Sequence, residues 1–206
     1  MFCQAAGIEC EAKEVSLAKG EHKTPEYIAN VHKFGQVPAW KEDDESVYIE
    51  SASILRFLAN KYKKHEFWPE DLIERQKADA GLDFNGTTVR PGVSAALVQI
   101  VVAPAFFGAP APSEEKKAEL MKTLYETVDK IGKWLEGKHF IGGEKITLPD
   151  FQVFNELLNV IAFMGVDVSR NANVSAWWAR LLEHPVFADA NTRVREIAAK
   201  MAAGGQ

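Results

Sequence analysis

Phe34-Gly35-Gln36-Val37-Pro38-Ala39-Trp40, followed after the polar run Lys41-Glu42-Asp43-Asp44-Glu45-Ser46 by Val47-Tyr48-Ile49-Glu50-Ser51, reads as a two-stranded hairpin that leads into a helix. Val37 to Trp40 and Val47 to Ile49 are short β-branched and aromatic runs flanking a charged turn. Pro38 has no N–H to give a ladder, so it stands at the first residue of its strand or on an edge. A trans Pro38 fits a plain strand edge; a cis Val37-Pro38 bond turns the N–H and C=O of Val37 outward, ready to pair with an extended chain. Ile54, Leu55, Leu58 and Tyr62 then recur at helical spacing. Glu50-Ser51 therefore falls at a strand-to-helix junction.

At such a junction the free N–H groups of the first helical turn and the helix dipole favour a carboxylate, while Glu50 favours an ammonium group. A ligand with both on one carbon, an amino-acid end, suits the pair. The plainer reading of the same two residues is an ordinary helix start with Ser51 as N-cap.

Taken together, Phe34-Gly35-Gln36-Val37-Pro38-Ala39 and Glu50-Ser51-Ala52-Ser53-Ile54 resemble the glutathione-binding half of the cytosolic glutathione S-transferases. Upstream, Lys19-Gly20-Glu21-His22-Lys23-Thr24-Pro25-Glu26-Tyr27 is similar to the segment before the second helix in theta-like and phi-like members. Phe67-Trp68-Pro69-Glu70-Asp71-Leu72 and Thr87-Thr88-Val89-Arg90 resemble the theta branch in particular, and the likeness runs from about Phe2 to Ala199. It implies an α/β plus all-α fold: an incomplete thioredoxin-like domain over residues 1–64, its first strand missing, then an all-helical domain over 65–206.

The resemblance also implies roles. Val37 and Pro38 would pair with the cysteinyl unit of glutathione, and Glu50 and Ser51 would hold the amino and carboxylate groups of its γ-glutamyl end. His22, Lys23 and Gln36 would lie near the glycyl end or the tripeptide backbone. Arg90 would face the active site, where its guanidinium attracts a thiolate or an anionic leaving group. Bland alternatives stand beside these: His22 and Lys23 as solvated loop charges, and Arg90 as a surface arginine paired with Asp83. Glutathione would serve as co-substrate with a hydrophobic electrophile as its partner, no metal would be needed, and the chain would pair as a homodimer.

Composition agrees with this reading. The chain has 206 residues, 47% hydrophobic and 26% charged, enough for one large or two small domains. A net charge of -5 disfavours a nucleic-acid partner, and no apolar run is expected to span a bilayer. The first residues lack the basic start and apolar core of a secretory signal. Cys3 and Cys10 form no CxxC, metal or disulfide pattern, so a reducing cytoplasm is expected. His32, His65, His139 and His184 lack metal-ligand company and carry no assigned chemistry.

Strand-like runs, including Cys10 to Leu17, are confined to the part before about Lys64; Lys64 to Pro69 reads as the linker. Beyond it, Pro91 is expected to kink or divide a helix beginning near Glu70, and Pro104 with Gly108 to end the apolar segment Leu97 to Phe107. Ser113 caps a helix reaching about Glu136, with Leu120, Leu124, Val128, Ile131 and Leu135 on one face. Ile146-Thr147-Leu148-Pro149-Asp150-Phe151 carries a capping box, Thr147 with Asp150, and a staple, Ile146 with Phe151; losing the Thr147 cap should cost about 1 kcal/mol.

Two departures from the family pattern remain. Val31-His32-Lys33 stands where an Asn-Pro pair is usual. Family members begin with a strand and a loop bearing a serine, tyrosine or cysteine that activates the thiol, whereas Met1-Phe2 aligns inside the first helix. The activating residue is therefore expected to lie outside this sequence, and Cys10 to Leu17 to lack its neighbouring strand. Three functions follow: a theta-like transferase acting on electrophilic small molecules, a glutathione-binding or protein-interaction relative without transferase activity, and an interaction domain like that on the gamma subunit of translation elongation factor 1.

Overall fold

The computed structural model describes residues 1–204. Its first part contains α1 (Phe2–Ala5), a single 3-10 turn (Glu21–Lys23), α2 (Pro25–Asn30), β1 (Ala39–Lys41), β2 (Val47–Ile49) and α3 (Ser51–Lys61). The two strands pair antiparallel with Ala39 opposite Ile49, Trp40 opposite Tyr48 and Lys41 opposite Val47, giving a two-stranded sheet. The expected hairpin is present, its turn closed by the Glu42 N–H donating to the Ser46 carbonyl at 2.9 Å. Cys10 to Leu17, however, forms no strand. With no neighbour to pair, extended backbone gains no ladder hydrogen bonds; the run stays irregular, and the Ser16 N–H donates to the Glu21 carboxylate at 2.7 Å instead.

The prolines of the helical part act differently from expectation. α4 (Leu72–Phe84), α5 (Arg90–Leu97) and α6 (Ala103–Phe107) are joined by two π-helical segments, Asn85–Val89 and Val98–Val102, into one rod from Leu72 to Phe107. Each π segment lies immediately before a helical piece whose second residue is proline, Pro91 or Pro104. A helical proline lacks an N–H and crowds the carbonyl four residues back; the wider π turn accommodates both effects without breaking the helix. Reading the sequence as interrupted at these prolines also hid the rod's apolar length. By length and composition alone this helix is able to cross a membrane. Three residues on its inner side, Val89, Val93 and Ala96, are fully buried in the protein core, where α5 packs on the helices that follow, while most of the apolar stretch is not buried.

Those helices are α7 (Glu114–Trp134), α8 (Leu148–Met164), α9 (Ala172–Leu182) and α10 (Pro185–Gly204). Ser113 caps α7 as expected, accepting from the Lys116 N–H, and the predicted stripe from Leu120 to Leu135 is buried. α8 is the central element. Asp150 takes the Thr147 N–H at 2.8 Å, its half of the expected capping box, and Phe151 enters the core with Ile146 packed against it. Trp177 and Trp178 are both buried, the latter stacked on Phe154 at 4.3 Å between ring centres.

The connection between the two parts is packed rather than loose. Phe67 and Trp68 are buried; Phe67 meets Phe2 and Phe151 edge-on at 5.8 and 5.5 Å, and its carbonyl accepts the Leu148 N–H at 3.1 Å. Arg56 on α3 adds a bond to Asp79 on α4 at 2.7 Å. The chain thus has a short α/β part carrying the hairpin and an all-helical part, held together by a shared aromatic cluster.

Candidate functional site

A cleft of about 660 Å³ opens where the hairpin and the start of α3 face the α4–α5 rod and α8. His22 and Lys23 enter it from the 3-10 turn, Gln36, Val37 and Pro38 from the run before β1, Glu50 and Ser51 from the start of α3, and Arg90 from the rod. These are the eight residues expected from the sequence, and they line one cavity.

The run before β1 is held by its neighbours. Gly35 has φ +59, and a Cβ there would lie 2.6 Å from the His22 carbonyl oxygen, so glycine alone fits this approach. Lys23 Nζ donates to the Phe34 carbonyl at 3.3 Å and the Tyr27 hydroxyl to the Gln36 carbonyl at 2.9 Å. Burial raises the Tyr27 phenol above its usual range, keeping it a neutral donor. Lys23 is exposed, and its ammonium group also ties the loop through the Phe34 carbonyl. His22 is no solvated loop residue: it is buried, and among the described residues its Nδ1 has no hydrogen-bond partner. The Val37-Pro38 peptide is cis.

Glu50 is the N-cap residue of α3, with φ 70 and ψ 106. Such a conformation costs a non-glycine residue roughly 1–3 kcal/mol and is found where a site demands it. No side chain caps α3, so the N–H groups of its first turn face outward without a side-chain acceptor. Ser51 is the first helical residue and not the cap, which corrects the plainer reading. Its Oγ accepts from Gln152 Nε2 at 3.1 Å, and Gln152 Oε1 accepts from Asn85 Nδ2 at 3.3 Å. The Glu50 carboxylate is exposed and unpaired among the described residues. One wall therefore presents an anion-accepting helix start beside a free carboxylate, the complement of an amino-acid end.

Across the cleft, Arg90 Nη1 lies 3.6 Å from Glu156 Oε1 with its side chain 58% exposed. Glu156 is buried and also receives the Ser94 hydroxyl. Among the described residues Arg90 does not pair with Asp83, which sits beside Arg56 at 3.4 Å. Cys3 is half-buried away from this wall; burial, then Cys10 beside it, pushes its thiol up to about 11, so it stays protonated at neutral pH. Among the described residues no group of three or more His, Cys, Asp or Glu could hold a metal ion.

His32, Asn85, Gly86 and Gln152 also line the cleft and were not singled out from the sequence. His32 is buried and its Nδ1 accepts the Phe34 N–H at 3.3 Å. Gln152 lies 101 residues from Ser51. The one local sign of it was a polar residue inside the apolar start of α8.

Comparison with known proteins follows the same division. Residues 1–61 match the model of the glutathione S-transferase N-terminal domain and residues 91–185 that of the C-terminal domain. Human glutathione S-transferase theta-1 is 32% identical over 204 residues, covering 97% of this chain and 82% of that protein. Mouse glutathione S-transferase theta-3 is 29% identical over the same span and shares. Among solved structures, an apo tryptophan-to-arginine variant of human glutathione S-transferase T1-1 superposes with a TM-score of 0.85 at 28% identity, covering 96% of this chain and 83% of that one. A delta-class glutathione transferase from Nilaparvata lugens gives 0.79 at 25% identity, covering 97% and 89%. With both halves matched and the likeness carried along nearly its whole length, the chain belongs to the glutathione S-transferase family and is theta-like within it.

Proposed function

We propose that the cleft binds glutathione and that the protein transfers it to electrophilic small molecules. The observation that carries this reading is the pairing on one wall of the uncapped start of α3 with the free Glu50 carboxylate. In it, the γ-glutamyl carboxylate takes the Ser51 hydroxyl and first-turn N–H groups, and the ammonium takes Glu50. Backbone at Val37 and Pro38 runs along the cysteinyl unit, with Gln36, Lys23 and His22 toward the glycyl end.

In the transfer step the sulfur electron pair forms a bond to the electrophilic carbon. A halide leaves with its electron pair, or an epoxide oxygen takes up the bond pair and then a proton. A free thiol, with a pKa near 8.5, is only a few per cent ionised at neutral pH. Arg90, positioned by Glu156, supplies positive charge that favours the thiolate and a departing anion. The electrophile would rest on the apolar part of the rod between Val98 and Phe107, which selects for size and apolarity more than for identity. By its likeness to the theta-class relatives we also assign the protein a homodimeric state and a place in the cytoplasm. The functional division is taken near residue 64.

A second reading, glutathione binding without transfer, is favoured by one observation: among the residues lining the cleft Ser51 bears the single hydroxyl, and it is engaged at the γ-glutamyl end. Calorimetric titration with glutathione tests the common core of both. Wild type should bind, and Ser51→Ala and Glu50→Gln should each weaken binding by about tenfold or more. A wild-type protein that takes up no glutathione overturns both readings. Binding without conjugation across a panel of alkyl halides and epoxides selects the second.

A further inference from the structure

Ser51 is tied to the helical half by two hydrogen bonds in series. Asn85 Nδ2, from the π segment of the rod, donates to Gln152 Oε1 at 3.3 Å, and Gln152 Nε2, from α8, donates to Ser51 Oγ at 3.1 Å. Asn85 is 3% exposed, and among the described residues its buried Oδ1 has no partner. All three residues line the cleft.

An amide carries donors on nitrogen and acceptors on oxygen, so the direction of one bond sets the direction of the next. With Oε1 committed to Asn85, Gln152 has only its NH₂ to turn toward Ser51. The reverse arrangement needs both amides turned, which puts the Asn85 NH₂ where Oδ1 now lies buried and unpartnered. A buried orphaned N–H is rarer and costlier than an under-satisfied carbonyl oxygen. The observed polarity is therefore the cheaper one. It has a chemical result: Ser51 Oγ, with a lone pair filled by Gln152, has its O–H proton left to give to whatever occupies the cleft.

We infer that Gln152, steered by Asn85, is a positioning and specificity-determining residue that makes Ser51 a hydrogen-bond donor, so that this subsite selects a carboxylate over its uncharged amide counterpart. This rests on the reading of the cleft as a glutathione site. The helical half then acts on the tripeptide end as well as on the electrophile. A charged acceptor gains more from a fixed donor than a neutral one does, so the discrimination follows from the fixed direction and not from contact by Gln152 itself.

The test uses glutathione and its analogue with the γ-glutamyl α-carboxylate converted to a primary amide. The dissociation constants of both are measured by calorimetry on folded protein, checked by circular dichroism. Wild type should prefer the acid. Gln152→Met keeps the side-chain length but removes the donor, and should lower that preference by about three- to tenfold. Asn85→Leu, which frees the Gln152 amide to turn, should lower it in the same direction. In a Ser51→Ala background Gln152→Met should change the ratio no further. A wild-type preference retained in both Gln152→Met and Asn85→Leu overturns the inference while leaving glutathione binding intact; so does an undiminished effect of Gln152→Met without the Ser51 hydroxyl. Failure of wild type to bind glutathione removes the binding reading and this inference with it.

Discussion

Asp150 is fully buried and accepts four hydrogen bonds: from the Ile141 and Thr147 N–H groups at 2.9 and 2.8 Å, the Thr147 hydroxyl at 3.1 Å and the Trp177 indole at 2.8 Å. Burial pushes its carboxyl up to about 6 against the pull of those bonds. A raised carboxyl pKa means that the native state holds the proton more tightly than the unfolded chain. The associated stability is full below about pH 4 and is lost as pH rises to about 6, an effect of roughly 3 kcal/mol. Urea unfolding of wild type and Asp150→Asn across this range should show the wild-type advantage shrinking as pH rises; a constant gap would contradict the assignment. Asp150→Ala at pH 7 strands its donors and should cost about 3–5 kcal/mol. At the site, Arg90 makes a different claim. If its charge favours the glutathione thiolate, the pH profile of kcat/KM rises through the thiol ionisation, and Arg90→Ala moves that rise to higher pH. An unmoved profile with lower activity throughout would assign Arg90 to binding alone. Residues of this kind divide sharply in legibility. The Thr147-Asp150 box is written within four consecutive positions, whereas the Arg90 partner, Glu156, and the Ser51 partner, Gln152, come from a helix whose packing no local pattern records.

Elements show what proline and glycine mean only in context. The sequence marked Pro91 and Pro104 as interruptions, yet the rod continues through both on π turns; at Pro91, α7 and α8 also hold α5 from its inner side. Gly92, next to Pro91, is where α5 meets α7: a Cβ there would lie 2.0 Å from Thr127 Oγ1 and 2.9 Å from its Cβ. Alanine is the better helix former by about 1 kcal/mol, but overpacking of a tight contact costs about 1–3 kcal/mol. Thermal unfolding should therefore find Gly92→Ala destabilised despite its helix propensity. Adding Thr127→Ala should recover part of the loss, an interaction that independent sites do not show. The strand-like run Cys10 to Leu17 gives the opposite lesson. Its side chains suited a strand, but a strand exists only with a partner, and among the described residues none pairs with it.

At the scale of the whole molecule, the two parts share one core: Phe2, Phe67 and Phe151 meet from α1, the connecting segment and α8. The protein should accordingly unfold in one transition, with tryptophan fluorescence and far-UV circular dichroism coincident in urea. Phe67→Ala should cost about 3–5 kcal/mol; two separated transitions in wild type would show that the parts fold independently. The sequence by itself determined the hairpin, the α8 capping box, the buried stripe of α7, the order of an α/β part before a helical part, and the family. These rest on local periodicity, caps and turns, whose physics acts between residues a few positions apart. Only the tertiary structure decided that the eight expected residues face one cleft, that Phe67 and Trp68 of the linker are buried, that two prolines bend no break into the rod, and that Ser51 is held from 101 residues away. Those outcomes depend on which surfaces close on one another, and that is set by packing summed over the whole chain.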